Sequence, residues 1–210
     1  MLLFSACAAP YFERAAMEPG WSGGGGAGIG GGSFWSARAG TNYMYFGNHV
    51  ALKATLFGRY NFSRRFGLFT QWTTGAAYEI SDRDARGWIG LLGAVMETAD
   101  IELGARFGLD ENDALRVALG TAYVVVPVLA NLTWLHDLDE SWTTNLGFGT
   151  RGLVAGVGFH FPLGRSTVGH LSLTGAASGR TEGGEFGTKF YVPVTGQFGF
   201  AVEAGPRRPE

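Results

Sequence analysis

Charge is scarce in this sequence. Asp, Glu, Lys and Arg together make up 16% of the 210 residues, where soluble proteins carry roughly 25%. A net charge of −2 leaves no basic excess of the kind that nucleic-acid binding needs, so nucleic acid is excluded as a partner. Cysteine is reduced to Cys7 alone, and no internal disulfide can form. Helical patterning is missing as well: no stretch of more than a few residues repeats an apolar i, i+3, i+4, i+7 stripe. The longest run without a charge, Val117 to Leu135, approaches the length of a membrane-spanning helix. Pro127 interrupts it, Gly120 and Asn131 weaken it, and "VVVPV" is β-branched. The reading there is two strands turning near Pro127, where a missing backbone donor does least harm.

What the chain does have is glycine, 35 residues, and aromatics, 14%. It also has an apolar/polar alternation of period two nearly throughout. In "NHVALKATLFGRYNF", one set of alternate residues contains Val50, Leu52, Leu56, Tyr60 and Phe62, and the other Lys53, Thr55, Phe57, Arg59 and Asn61. "IELGARFGL" places Ile101, Leu103, Ala105, Phe107 and Leu109 opposite Glu102, Gly104, Arg106 and Gly108. In "ALRVALG", Leu115, Val117 and Leu119 oppose Arg116, Ala118 and Gly120. A soluble sandwich also alternates, but its polar face should be crowded with Lys, Glu, Asp and Gln. Here that face is mostly Gly, Ala, Thr and Ser with single charges. Such small and sparse residues suit the inner wall of a narrow barrel, where the few charges can pair across the lumen.

The apolar set therefore faces lipid, and Phe57 fills the lumen from the other set. Trp72, Tyr78, Trp88, Tyr123, Trp134 and Trp142 fall near strand ends, as the aromatic girdles of a transmembrane barrel do. In lipid every backbone donor must be paired, so the sheet must close. The expected fold is all-β, a closed antiparallel transmembrane β-barrel. About eleven strand segments can be counted. A turn hidden at "TGQ" within Glu185 to Ala204 would bring them to twelve, and merging two weak segments would give ten. Twelve is the expectation, since single-chain bacterial barrels are usually even. Residues 1–20 read as a signal remnant or lipid anchor with a tether, 21–205 as the barrel, and 206–210 as a polar tail. The candidate lumen charge network is Lys53, Arg59, Glu79, Glu102, Arg106, Arg116 and Glu203, which should form cross-strand pairs.

From Trp21 to Gly205 the pattern resembles the small outer-membrane β-barrel proteins of Gram-negative bacteria. The resemblance implies a location in the bacterial outer membrane and contact with membrane lipid. It departs at the C-terminus, where "FGFAVEAGPRRPE" runs past Phe200 although that family often ends on an aromatic. Near the start, "LLFSACAAP" resembles the lipobox of bacterial lipoproteins. Ser5 and Ala6 fit that pattern, Phe4 stands where Leu is usual, and Cys7 would be the lipidated residue. Together these imply a non-enzymatic outer-membrane lipoprotein, structural or docking with a protein partner in the envelope. The alternative is a small channel for ions or solutes.

Three motifs test for chemistry. Gly26 to Gly31 form G-x-G-x-x-G, but a Pro-Gly turn precedes them and no helix pattern follows, so a nucleotide cofactor is not implied. His170, Ser172 and Glu182 or Glu185 resemble, in type and order, the site of outer-membrane lipid A deacylases. Leu173 stands where that family has an oxyanion-stabilising Asn, and Leu171 and Leu173 claim the lipid face, which turns His170 and Ser172 inward. "DEND" (Asp110 to Asp113) and "DLDE" (Asp137 to Glu140) lack calcium-loop spacing and read as turns, so no metal is implied.

Overall fold

A computed structural model describes residues 12–38, 44–79, 100–122, 128–149, 152–177, 180–182 and 189–205. Eleven strands follow in order: β1 Gly20–Arg38, β2 Met44–Asn61, β3 Phe66–Glu79, β4 Asp100–Gly108, β5 Asp113–Ala122, β6 Val128–Asp137, β7 Trp142–Gly149, β8 Gly152–Gly164, β9 Thr167–Ala177, β10 Arg180–Glu182 and β11 Lys189–Ala204. Each strand from β1 to β8 pairs antiparallel with the next, β9 pairs with β11, and β11 returns to β1. The sheet is closed.

The wall has ten strands, not the expected twelve. Arg180 pairs with Tyr191 in the register that already joins Ala177 to Val194, so β10 continues β9. No turn forms at Thr195-Gly196-Gln197, because the alternation runs straight through it. Val194, Gly196, Phe198 and Phe200 look outward while Gln197 and Ala201 are buried inside. Residues 80–99, with the expected girdle residue Trp88, lie outside the described residues, and β3 pairs directly with β4. The uncharged run that could have been a helix supplies β5 and β6 instead, with residues 123–127 outside the described set. No helix among the described residues is long and apolar enough to cross a membrane.

Outside and inside are exchanged relative to a soluble protein. Ile29, Leu52, Leu103, Leu119, Phe148 and Leu173 are all more than half exposed. Lys53, Thr55, Arg59, Gln71, Glu102 and Thr133 are buried. Such a surface is stable only against hydrocarbon, and a closed sheet leaves no unpaired edge there. At the end of the barrel where β1 begins and β11 ends, aromatic rings run from strand to strand. Trp21 lies 6.5 Å from Tyr60, Tyr60 4.9 Å from Phe62, Phe62 5.6 Å from Phe66, and Phe66 5.7 Å from Phe107. Trp142 and Phe159, 4.8 Å apart, continue the band farther round. Trp134 and Trp142 were among the expected girdle residues. Trp21, Tyr60 and the phenylalanines complete it.

The same end also carries the short turns at 62–65, 109–112, 138–141 and 165–166. Asp110 Oδ1 accepts the N–H groups of Asn112 and Asp113, and Asp139 Oδ1 those of Ser141 and Trp142. These acidic turns use their carboxylates to close themselves.

Candidate functional site: the lumen and its N-terminal segment

Residues 12–17, assigned to a tether on sequence grounds, lie inside the barrel, and the exposed Glu18 and Pro19 stand at its mouth. Gly20, at φ 122°, sits at the junction where the chain leaves the lumen and enters β1, a left-handed value that favours glycine. Phe12 is buried with Phe57 and Ala201, its ring 6.2 Å from that of Phe57. Met17 and Ala15 are buried with Ala114 and Leu135. Polar contacts fix the backbone. The Asp137 carboxylate accepts the N–H groups of Ala15 (2.8 Å) and Ala16 (2.9 Å), and Asn61 Nδ2 donates to the Glu18 carbonyl at 2.9 Å.

Glu13 is the centre of this arrangement. Its carboxylate lies 3.4 Å from Arg106 Nε, 3.5 Å from Arg116 Nε and 3.8 Å from Arg59 Nε. Those arginines come from β4, β5 and β2, one inward position each. Arg59 Nη2 also donates to the Phe12 carbonyl at 2.7 Å, and Arg106 Nη2 donates to the Arg14 carbonyl. The three guanidiniums therefore hold a carboxylate and the peptide groups on either side of it. Arg116 further donates to Glu102 at 2.9 Å and stacks over Phe69 at 4.0 Å, and Asn131 donates to Glu102 at 3.1 Å. Arg59 Nη1 lies 3.2 Å from Glu203.

A second arm runs from Glu203. His170 Nε2 lies 2.9 Å from Glu203 Oε2, and His170 Nδ1 lies 2.6 Å from His160 Nδ1. The Thr143 hydroxyl donates to Asp137, so it accepts from His160 Nε2–H at 2.9 Å. That leaves His160 Nδ1 to accept from His170 Nδ1–H. Arg14 closes the circuit at 3.7 Å from Asp137.

Of the predicted network, Arg59, Glu102, Arg106, Arg116 and Glu203 are thus brought together. Lys53 is buried on the same inner face. Glu79 stands opposite His49 in the strand register, its side chain outside the described set, and Cys7 lies outside the described residues. Sequence reasoning missed Glu13, Arg14 and Asp137. Asp137 was legible from parity, since Asn131, Thr133, Leu135 and Asp137 share the inner face.

The His170–Ser172 pairing of the hydrolase arrangement does not form, and Glu185 and the Glu182 side chain lie outside the described residues. Both nitrogens of His170 face His160 and Glu203, and the buried Ser172 hydroxyl has no hydrogen-bond partner. His170 and Ser172 do point inward, away from any lipid substrate. The lumen glycines of β1 do not leave open space. A Cβ on Gly24 would meet the Val202 carbonyl and lie 2.8 Å from the Phe57 ring, and one on Gly26 would lie 2.6 Å from Ala201 Cβ. Their missing side chains let β11 and the lumen residues come close.

No protein-family profile and no curated protein sequence matches the chain. Solved structures do. The chain is similar to the outer membrane protease OmpT from Escherichia coli (6% identity, TM-score 0.48, 96% of this chain and 100% of that one). It is also similar to the KdgM porin (7%, 0.41, 87% and 98%) and to the outer membrane protein OprG from Pseudomonas aeruginosa (9%, 0.36, 91% and 99%). The closed antiparallel wall, lipid-facing apolar belt and polar interior make this chain an outer-membrane-type β-barrel.

Proposed function

We propose that the protein is a small outer-membrane channel for ions or solutes, closed in the described arrangement by its own residues 12–17. One observation carries this reading: the stopper is not part of the wall. The segment makes no strand pairing and is held by side-chain contacts, above all those of Asp137 and the three arginines. The wall itself presents neutral polar groups to the interior, including Thr55, Thr73, Asn145, Thr174 and Gln197, which water can solvate. Short turns face the periplasm in such barrels, which places the stopper at the periplasmic mouth.

Eight-stranded barrels are filled by side chains and aqueous pores are typical of about sixteen or more. Ten strands lie near the filled end of that range, and this favours the second reading, a non-conducting structural or docking barrel. Planar-bilayer recording separates the two. Asp137→Ala leaves the Ala15 and Ala16 amides without their acceptor, a loss of about 1–3 kcal/mol for each buried group stranded. The variant should show frequent single-channel steps where the parent shows rare ones. Equal silence from parent and variant, with both inserted and heat-modifiable on gels, would leave only the structural reading.

A further inference from the structure

We infer that the Arg59–Arg106–Arg116 cradle is a binding site for a small carboxylate, that Glu13 occupies it as a built-in ligand, and that the solute admitted is a small organic acid. The role rests on the channel reading, but the binding can be measured without it.

The geometry is that of a receptor for one anionic group. Guanidiniums from three strands converge on a single carboxylate, each with its Nε between 3.4 and 3.8 Å from it. Arg106 and Arg116 are at most 1% exposed, and Arg59 is 4% exposed. Two of the three guanidiniums are held by the wall as well, whereas Arg106 is held, among the described residues, by Glu13 and the Arg14 carbonyl. Arg116 is placed from the wall by Glu102, Gln71 and the Phe69 ring, and Arg59 by Glu203 and by the Phe57 ring 4.8 Å away. Glu13, in contrast, is delivered by a segment outside the wall. Its Oε2 accepts no hydrogen bond, and the Nε donors of Arg59 and Arg106 donate none. That oxygen of the built-in carboxylate is therefore held by charge without using the Nε donors of Arg59 and Arg106. A free carboxylate, not tied to a backbone, can move closer and take bidentate hydrogen bonds from the same forks.

The charge balance agrees. With Glu13 seated, three guanidiniums face Glu13, Glu102 and Glu203. When the segment leaves, the same three face Glu102 and Glu203 alone, and an anion restores the balance. A cation gains nothing at this point in the lumen.

The test uses Glu13→Ala in the full chain, in detergent micelles, with sodium acetate as the probe and sodium chloride at equal ionic strength as the control. Acetate should raise the unfolding temperature of Glu13→Ala saturably and by several degrees more than chloride does. The parent, its cradle already filled, should respond to the two salts alike. Adding Arg106→Met to Glu13→Ala should abolish the acetate effect. If Glu13→Ala does not fold unaided, refolding yield on the heat-modifiable gel becomes the readout, and acetate should raise it several-fold over chloride. Equal effects of acetate and chloride on Glu13→Ala, in either readout, overturn the inference. Channel steps from Asp137→Ala with no acetate effect would refute the carboxylate site and leave the channel. Acetate rescue with no steps would do the reverse.

Discussion

Leu103→Arg should destabilise the barrel in lipid vesicles by about 2–4 kcal/mol, and Leu138→Arg by about 0–1 kcal/mol. The two leucines are equally exposed, each at 60%. Leu103 lies in the middle of β4, and Leu138 begins the turn after β6 at the rim. In water an arginine at either place would be harmless, because both side chains already face solvent. In a bilayer the first charge sits in hydrocarbon and the second reaches the headgroups. Urea titrations of the two variants in vesicles measure the difference. Equal costs would remove the lipid-facing assignment of the outer surface. The adjacent inward residue Gly104 is no control, although its parity is right. A Cβ there would meet the Val117 carbonyl and lie 2.6 Å from the Phe69 ring, so arginine would fail for lack of room.

The second large effect belongs to Glu13. Replacing it by alanine removes the carboxylate shared by three buried guanidiniums. Arg116 keeps Glu102 and Arg59 keeps Glu203, but Arg106 loses its carboxylate partner among the described residues. Stranding buried charge in this way typically costs about 3–5 kcal/mol. Glu13→Ala/Arg106→Met should cost less than Glu13→Ala alone, since the second change removes one stranded charge and one mutual repulsion. Unfolding free energies of the parent, both single variants and the double variant give the coupling. An additive double variant would mean that Glu13 and Arg106 do not sense each other, against the 3.4 Å between them.

Which residues face lipid could be read from the sequence because a strand offers only two directions. Once Leu52 and Leu103 are outside, Lys53 and Glu102 are inside, and one correct assignment carries a whole strand. The strand number was harder to read. Gly196 looks like a turn when only neighbours are considered, yet β1 and β9 pair across it on both sides. Pairing of that kind joins residues far apart in sequence and leaves no local mark. The same holds for the site. Arg59, Arg106 and Arg116 were legible as lumen charges, but their common partner was not. "FERAAM" has no period, and its partners lie on β2, β4, β5 and β6. Its charges look like those of any solvated terminus until the barrel is closed around them.

The seam between β1 and β11 has a consequence for how the wall finds its alignment. From Gly23 to Gly32 only Ala27 and Ile29 carry side chains, and strands so rich in glycine are prone to sliding by two residues, which preserves both faces. The buried segment opposes such slippage. It is covalently joined to β1 at Gly20, and Phe12 touches Phe57 of β2 and Ala201 of β11, the two neighbours of β1. A slipped β1 would carry Phe12 and Glu13 out of reach of their partners. The stopper is in this sense also a gauge, through which a nearly featureless strand acquires one alignment with its neighbours.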